Sequence, residues 1–292
     1  MSDVWMTELK DFSDCPQKWS SKWKRRLRDK TRKDAAMPLK LGTSIHSGLE
    51  HGMITGDWAG VHNAAMTKAY EQDIDDAADI EKISAAISQI PDWLKEVRNP
   101  HAEQELRLEV SSSDELILHR PYLAGKPDLW WIDDTGAHVL ELKTTADHAK
   151  NRLRTLTDYD MQLRGYATLL YMISRVDPEY LQDWPGGLPV NYQYLVLSWR
   201  GQVGESGWME LGPAQAEAIW DHMCQQVSAM TVLTTIGMTP MNRGPMCKYC
   251  IYDPVCSTLL TGGDPEDIID AKYRVSVHRQ QEQMESNDTT EV

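Results

Sequence analysis

The chain has 292 residues, 41% hydrophobic and 25% charged, an ordinary globular balance with length enough for one large domain or a domain with an appendage. Its net charge of −14 argues at first against a strong solitary nucleic-acid binder, no apolar run reaches membrane-spanning length, and five cysteines in so long a chain do not suggest a disulfide framework. The N-terminus, MSDVWMTELKDFSDC, lacks the basic-then-apolar pattern of a signal peptide, so a cytoplasmic, reducing location is expected.

Residues 1–35 are predicted to be largely helical, ending near Met37-Pro38. Nine basic residues stand between Lys18 and Lys33 against one acid, Asp29, with Trp19 and Trp23 interleaved four apart. A local basic helix can bind phosphates even in an acidic protein; a solvated helix face is the bland reading. A second helix is expected from Gly42, with Thr43 or Ser44 as its cap and His46 and Glu50 on one face. After a turn at Gly56-Asp57, residues 59–72 and 76–97 read as helices, stopped by Asn99-Pro100. The period then changes. Leu106, Leu108 and Val110 alternate within 103–110, a strand signature. A turn at 111–114 and a short strand at 115–119 follow.

Residues 123–145, LAGKPDLWWIDDTGAHVLELKTT, read as a β-hairpin. Residues 123–132 make an apolar, aromatic strand, Asp133 to Gly136 supply turn chemistry, and 138–143 form the returning strand. Asp128 and Glu141 are about equally far from the turn, so a simple antiparallel register sets them opposite each other. Glu141 and Lys143, two apart, share a face. Like charges across a ladder repel, and a divalent cation with oxygen ligands, Mg²⁺ or Mn²⁺, is the usual compensator. A plain hairpin with two solvated acids and a surface lysine is the bland alternative for these residues alone.

The polar stretch 146–160 reads as a loop or short helix near this patch. Residues 159–173 read as a helix with Gln162 and Tyr166 on one face. A loop at 177–189, a strand at 192–199, a turn at 201–207 and a helix at 213–234 complete the pattern, and no internal repeat is visible. The segment 240–260 reads as irregular and holds Cys247, Cys250 and Cys256 as C-x2-C-x5-C beside Gly244, Pro245 and Pro254. Three clustered thiolates want a fourth ligand, and Cys15 in FSDCPQKW is the best candidate; Cys224 is assigned to core packing. Four thiolates suit Zn²⁺ or a cubane iron–sulfur cluster. Joining Cys15 to Cys247 would fasten the two ends of the domain, stabilising it chiefly by restricting the unfolded chain. Beyond Gln280 no apolar pattern remains, and disorder is expected.

Taken in order, the motifs are a single cysteine, GxxxH ending at His46, GKPD ending at Asp128, Glu141-Leu142-Lys143, QxxxY from Gln162 to Tyr166, and the three-cysteine cluster. That order resembles the PD-(D/E)XK nuclease superfamily. Within it, the chain resembles the RecB-type branch whose members carry an iron–sulfur cluster, such as AddB nuclease domains and the small single-domain exonucleases of CRISPR adaptation modules and phages. Each motif alone is weak, but their order and spacing agree over roughly residues 10–260. A helicase is not implied, because the GxxxxGK[ST] phosphate loop is missing.

The resemblance implies an α/β fold: a restriction-endonuclease-like PD-(D/E)XK core, a mixed β-sheet flanked by helices, and an iron–sulfur-bound helical and loop subdomain joining the N- and C-terminal segments. It implies one nuclease domain over 1–260, with 1–40 and 240–260 as the iron–sulfur subdomain and 41–239 as the catalytic core. A C-terminal helix or disordered acidic tail would follow over 261–292. Asp128, Glu141, the Leu142 backbone carbonyl and His46 would ligate Mg²⁺ or Mn²⁺, the imidazole nitrogen suiting Mn²⁺. Glu103 or Glu105 could supply another acid. Lys143 would orient or activate the attacking water and offset charge on the phosphate. Gln162 and Tyr166 would help hold the scissile strand or the lysine. Cys15, Cys247, Cys250 and Cys256 would hold a [4Fe–4S] cluster, with Zn²⁺ as the alternative. The implied activity is a metal-dependent DNA exonuclease preferring single-stranded DNA or ends, in recombination, repair or CRISPR or phage DNA processing. Trp19 or Trp23 would be free to stack on bases, core packing being the expected role of at least one. The second reading is an iron–sulfur DNA-binding or assembly module with weak or no nuclease activity. The presence of Asp128, Glu141 and Lys143 speaks against it. The net charge speaks for it, together with a helicase, recombinase or CRISPR integrase partner; no membrane partner is expected.

Overall fold

The longest strand, Gly136–Thr145, is buried from Gly136 through Leu142, the near-continuous burial of a strand covered on both faces. It belongs to a computed structural model that describes residues 3–31, 37–110, 121–157, 161–177, 188–237 and 239–276. In chain order the elements run β1 (Val4–Trp5), α1 (Met6–Asp14), α2 (Pro16–Trp19), β2 (Leu27–Asp29), α3 (Met37–Thr55), α4 (Val61–Glu71), α5 (Ala77–Ile87), α6 (Asp92–Lys95), β3 (His101–Ala102), β4 (Leu106–Glu109) and β5 (Tyr122–Gly125). They continue with β6 (Leu129–Asp133), β7 (Gly136–Thr145), α7 (Ala149–Thr157), α8 (Met161–Val176), β8 (Val190–Ser198), β9 (Gln202–Glu205), β10 (Met209–Leu211), α9 (Pro213–Ile236), α10 (Asp253–Leu260), α11 (Glu266–Lys272) and β11 (Tyr273–Val275). The mixture of helices with parallel and antiparallel strands is the α/β class expected. The chain divides into two compact units, one formed by Met1–Thr7 with Ala35–Ser228, the other by Glu8–Asp34 with Ala229–Val292.

The first unit holds a six-stranded mixed sheet of order β10-β8-β7-β6-β3, with β9 also on β8, and a three-stranded sheet of order β1-β5-β4. β6 and β7 pair antiparallel from Asp133↔Gly136 to Leu129↔Leu140, and β7 runs parallel to β8 along its whole length. One core packs Leu129, Trp131, Leu140, Leu142, Leu195 and Leu197 of the sheet against Leu41, Ile45 and Leu49 of α3. α4 approaches α3 so closely that a Cβ on Gly48 would lie 2.8 Å from the Val61 carbonyl oxygen. α8 packs on β7, β8, β4 and β5. In the second unit β2 pairs antiparallel with β11. Leu27, Tyr252, Val255, Ile269 and Tyr273 form its core, and the Tyr252 hydroxyl donates to the Leu27 carbonyl at 3.0 Å.

Several expected elements differ. The strand expected at 123–132 is two strands in two sheets, because Lys126-Pro127-Asp128 breaks it and Pro127 has no N–H to give a ladder. The helix expected from Gly42 starts five residues earlier, at Met37. Thr43 and Ser44 are interior to it and their hydroxyls donate back to the carbonyls of Leu39 and Lys40. The basic helix stops at Lys24, Arg26 takes a left-handed φ of 52°, and strand β2 follows. The helix expected at 76–97 splits into α5, capped by the Asp76 carboxylate, and α6, with Pro91 between. The turn expected at 201–207 contains β9, and the irregular 240–260 contains α10. The expected turn and strand at 111–119, most of the loop at 177–189 and the tail beyond 280 lie outside the described residues.

Candidate active site

The β6–β7 register carries the site. Continued by one residue, it sets Asp128 across from Glu141, as the spacing from the turn predicts. Asp128 itself lies just outside β6, where its carboxylate can turn back onto the ladder. Oδ2 accepts the Leu142 backbone N–H at 2.6 Å, and Oδ1 lies 3.2 Å from His46 Nδ1 on α3. Glu141 is 3% exposed in the middle of β7. Its Oε1 pairs with Lys143 Nζ on the same strand face, while Oε2 is buried without a hydrogen-bond partner.

Glu103 completes the group. It adopts a left-handed φ of 52° just after β3, and its carboxylate pairs with Lys126 at 2.8 Å. One ligand atom each from His46, Glu103 and Asp128 lie within 4.8 Å of one another. A cavity of about 30 Å³ borders these three residues and Leu142, room for one small ion or water. The sequence offered Glu103 or Glu105; Glu103 takes the place, and Glu105 is exposed. The signal that could have decided it is Lys126 in GKPD, which anchors Glu103.

Burial pushes Glu141 up to about 7, reinforced by the charge of Asp128 and opposed by Lys143. Burial also acts against the Asp128 anion, but His46, Lys143 and the Leu142 N–H outweigh it and hold Asp128 below the usual carboxylate range. Burial disfavours the His46 cation, yet the Asp128 charge prevails and raises it. Glu103 is raised by burial and then by Asp128. Three crowded acids, one imidazole and an orphaned carboxylate oxygen form a hard, mainly oxygen donor set that fits Mg²⁺ or Mn²⁺.

On α8, Gln162 Nε2 donates to the Tyr166 hydroxyl at 2.9 Å. Burial raises the Tyr166 phenol, as does the nearby Glu141 charge. The tyrosine ring lies against Gly125, where a Cβ would sit 2.7 Å from ring carbons. The structure thus brings His46, Asp128, Glu141, Leu142, Lys143, Gln162 and Tyr166 into one neighbourhood.

Four of the five cysteines, Cys15, Cys247, Cys250 and Cys256, occupy the second unit. All five in the chain are free thiols. Cys15 precedes α2, Cys247 lies in the short 3₁₀ turn Pro245–Tyr249, Cys250 caps that turn and Cys256 sits in α10. Burial raises Cys256 to about 11, and the charges of Cys15 and Cys250 add to it. The Asp253 carboxylate, which accepts from Arg243, raises Arg243, and the charges of Cys247 and Cys256 add to it. No three of these sulfurs fall within 4.8 Å of one another, whereas a tetrahedral zinc with ~2.3 Å bonds needs sulfurs roughly 3.8 Å apart. The donor set is all-thiolate. Cys224, in α9 of the other unit, is half-buried.

The basic segment is less free than its sequence suggests. Asp11 pairs with Lys18 at 2.7 Å and Lys22 at 2.6 Å, and Arg25 pairs with Glu266 at 2.6 Å. Trp19 is not a stacking platform. It is 1% exposed, donates from Nε1 to Glu8 and meets Phe12 edge-on. Trp23 is half-buried and donates to Asp11 at 2.9 Å. Lys24, Arg26, Arg28 and Lys30 remain exposed.

The family model of the PD-(D/E)XK nuclease superfamily matches residues 6–257. No curated protein matches the chain. Among solved structures, that of a Eubacterium rectale protein named a "putative exonuclease" is similar at a TM-score of 0.51 and 13% identity, covering 90% of this chain and 94% of that one. That likeness is one of fold. The structure of a protein named SSO0001 aligns at a TM-score of 0.31 and 14% identity, covering 72% of this chain and 82% of that one, too distant to carry an argument.

Proposed function

The chain belongs to the PD-(D/E)XK nuclease superfamily, and from that premise we propose that it is a divalent-metal-dependent deoxyribonuclease, an exonuclease acting on single-stranded or frayed DNA ends. The observation that carries the reading is the convergence of His46, Glu103 and Asp128 beside the orphaned Glu141 Oε2. His46, Glu103, Asp128, Glu141 and the Leu142 carbonyl would hold a Mg²⁺ or Mn²⁺ ion, which would supply Lewis acidity and a nucleophile at neutral pH. Asp128 is held in place by the Leu142 N–H and stays ionised, ready to bind. Lys143, oriented by Glu141, places positive charge where the phosphate gains negative charge and orients the attacking water. Gln162 and Tyr166, locked together on α8, position the lysine or the scissile strand. The exonuclease choice has the same support as in the sequence, with the name of the Eubacterium rectale protein beside it.

The second part of the proposal is a [4Fe–4S] cluster on Cys15, Cys247, Cys250 and Cys256. Its support is the C-x2-C-x5-C spacing and the influence of the Cys15 and Cys250 charges on Cys256. Such a centre would fasten the segments of the second unit. Free thiols suit a reducing, cytoplasmic setting, and among the described residues no helix is long and apolar enough to cross a membrane. The pairing of Lys18, Lys22 and Arg25 with acids favours one further element: a helicase, recombinase or integrase partner that contributes DNA affinity. Without such a partner the binding-module reading would have little DNA affinity of its own.

The test is a time course on end-labelled single-stranded DNA with Mg²⁺ or Mn²⁺, wild type beside Glu141→Ala. The variant should fold normally and cleave at least about 10²–10³-fold more slowly. Unaltered turnover would sink the assignment. Comparison of 5′ and 3′ labels gives the polarity.

A further inference from the structure

A second cavity, of about 380 Å³, opens in the first unit beside α6 and the β6–β7 turn, and it shares no lining residue with the metal-binding group. Three tryptophans, Trp93, Trp131 and Trp208, form its walls together with His138. Trp131 is buried on β6 and stacks on His138 of β7, ring centroids 4.9 Å apart and 7° from parallel. Trp208 stands edge-on to that pair at 5.5 and 5.1 Å and lies 6.1 Å from Trp93. Yet Trp208 keeps 43% of its surface exposed. Trp93 Nε1 donates to Glu205 Oε1 at 3.2 Å, and Glu205 Oε2 accepts from Gln193 Nε2 at 3.1 Å. The walls are therefore fixed by neighbours on β6, β7, β8 and β9, and a large aromatic left open on such a scaffold marks a binding surface.

The charges choose the ligand. Asp133 Oδ1 accepts the Thr135 N–H at 2.8 Å and the Thr135 hydroxyl at 2.6 Å, and lies 3.0 Å from His138 Nε2. Its Oδ2 has no partner among the described residues. Partial burial opposes the Asp133 anion, but Thr135 and His138 outweigh it and hold the carboxyl at about 2. Glu96 adds a second carboxylate, against one cation, Arg98. Electron-rich ring faces and a fixed carboxylate attract the same kind of group, a cation. A nucleotide would use the rings but bring its phosphate towards Asp133 and Glu96.

We propose that this aromatic, acid-rimmed cavity binds an organic cation, the guanidinium or ammonium group of an arginine, lysine or polyamine. The inference stands apart from the nuclease reading, and its test is separate. Tryptophan fluorescence of the full chain in EDTA is titrated with arginine amide, spermidine, an arginine-containing heptapeptide, neutral citrulline amide and a dT8 oligonucleotide. Arginine amide or spermidine should saturate, with citrulline amide at least about tenfold weaker. Trp208→Ala and Asp133→Asn should each weaken binding by about 2- to 30-fold, with the circular dichroism spectrum unchanged. Tighter binding of the heptapeptide assigns the cation to a partner polypeptide; tighter binding of spermidine assigns it to a polyamine. Equal response to citrulline amide, saturation by dT8 alone, no saturation by any cation, or wild-type binding in both variants would overturn the proposal. Trp208→Ala should cleave end-labelled DNA at the wild-type rate, so failure here is distinguishable from failure of the nuclease reading.

Discussion

Glu141 is pulled in two directions: buried among apolar strands, it prefers a proton, yet its place beside Asp128 and His46 gives it work only as an anion. With its carboxyl raised to about 7, Glu141 holds a proton below that pH in the metal-free protein, and an incoming cation must displace it. Affinity for Mn²⁺ should therefore fall about tenfold per pH unit as pH drops below 7 and level off above it. The raised His46 acts in the same direction and steepens the fall. Calorimetric titration at pH 6 and pH 8, in buffers of different ionisation heat, reads both the affinity and the protons released; equal affinity at both values would refute the coupling. Glu103 and Glu105 offer a second contrast, because they are neighbours in sequence with different surroundings. Glu103→Ala should weaken metal binding and cleavage about ten- to a hundredfold, while Glu105→Ala should leave both near wild type. The geometry of the candidate site is largely legible: Asp128, Glu141 and Lys143 come together through hairpin spacing and strand alternation. The choice between Glu103 and Glu105 is not, since it depends on a left-handed backbone at Glu103 and on Lys126 in the break between β5 and β6.

The hairpin shows what an element can and cannot reveal. Its turn residues give the register, because Asp128 and Glu141 lie equally far from the turn and the observed pairing runs from Asp133↔Gly136 to Leu129↔Leu140. The break at Pro127 is hidden in the pattern because Leu123, Ala124, Leu129 and Trp130 are apolar on both sides of it, and only the pairing partners show that they serve different sheets. β2 and β9 leave little trace in the sequence for a related reason. Strands of three or four residues are stabilised by the strand beside them, not by a pattern of their own. Helix α3 began earlier than its serine and threonine suggested, because Pro38 is comfortable in a first turn. Gly136 is the position where the hairpin tolerates least. Its φ is +145° and an added Cβ would lie 2.5 Å from the Pro189 carbonyl oxygen, which is backbone and cannot swing away. Gly136→Ala should cost about 1–3 kcal/mol. The melting temperature reports it, and an unchanged value would mean that the turn re-forms another way.

Across the whole molecule, the candidate site and the four cysteines belong to different compact units, so their failures should separate. If the cluster is present, protein purified in air is brown, and Cys250→Ser should bleach it and lower its thermal stability. Stoichiometric zinc without iron in anaerobically prepared protein would refute the cluster while sparing the nuclease. The composition misled at this scale in one respect. Nine basic residues in one segment looked like a phosphate track, but Asp11 and Glu266 neutralise three of them, and neither acid is conspicuous beside the run. The second unit is also assembled from two stretches of chain far apart in the order of synthesis. The Tyr252 hydroxyl meets the Leu27 carbonyl across 225 residues. At ribosomal rates of about 5–20 residues per second, the earlier stretch waits roughly ten to forty-five seconds for its partner. Throughout that interval Cys15, Leu27 and Trp19 have left the ribosome without the later residues that complete their unit. The nascent chain is then at its most exposed to oxidation and misassociation, and delivery of any inorganic centre can only come last.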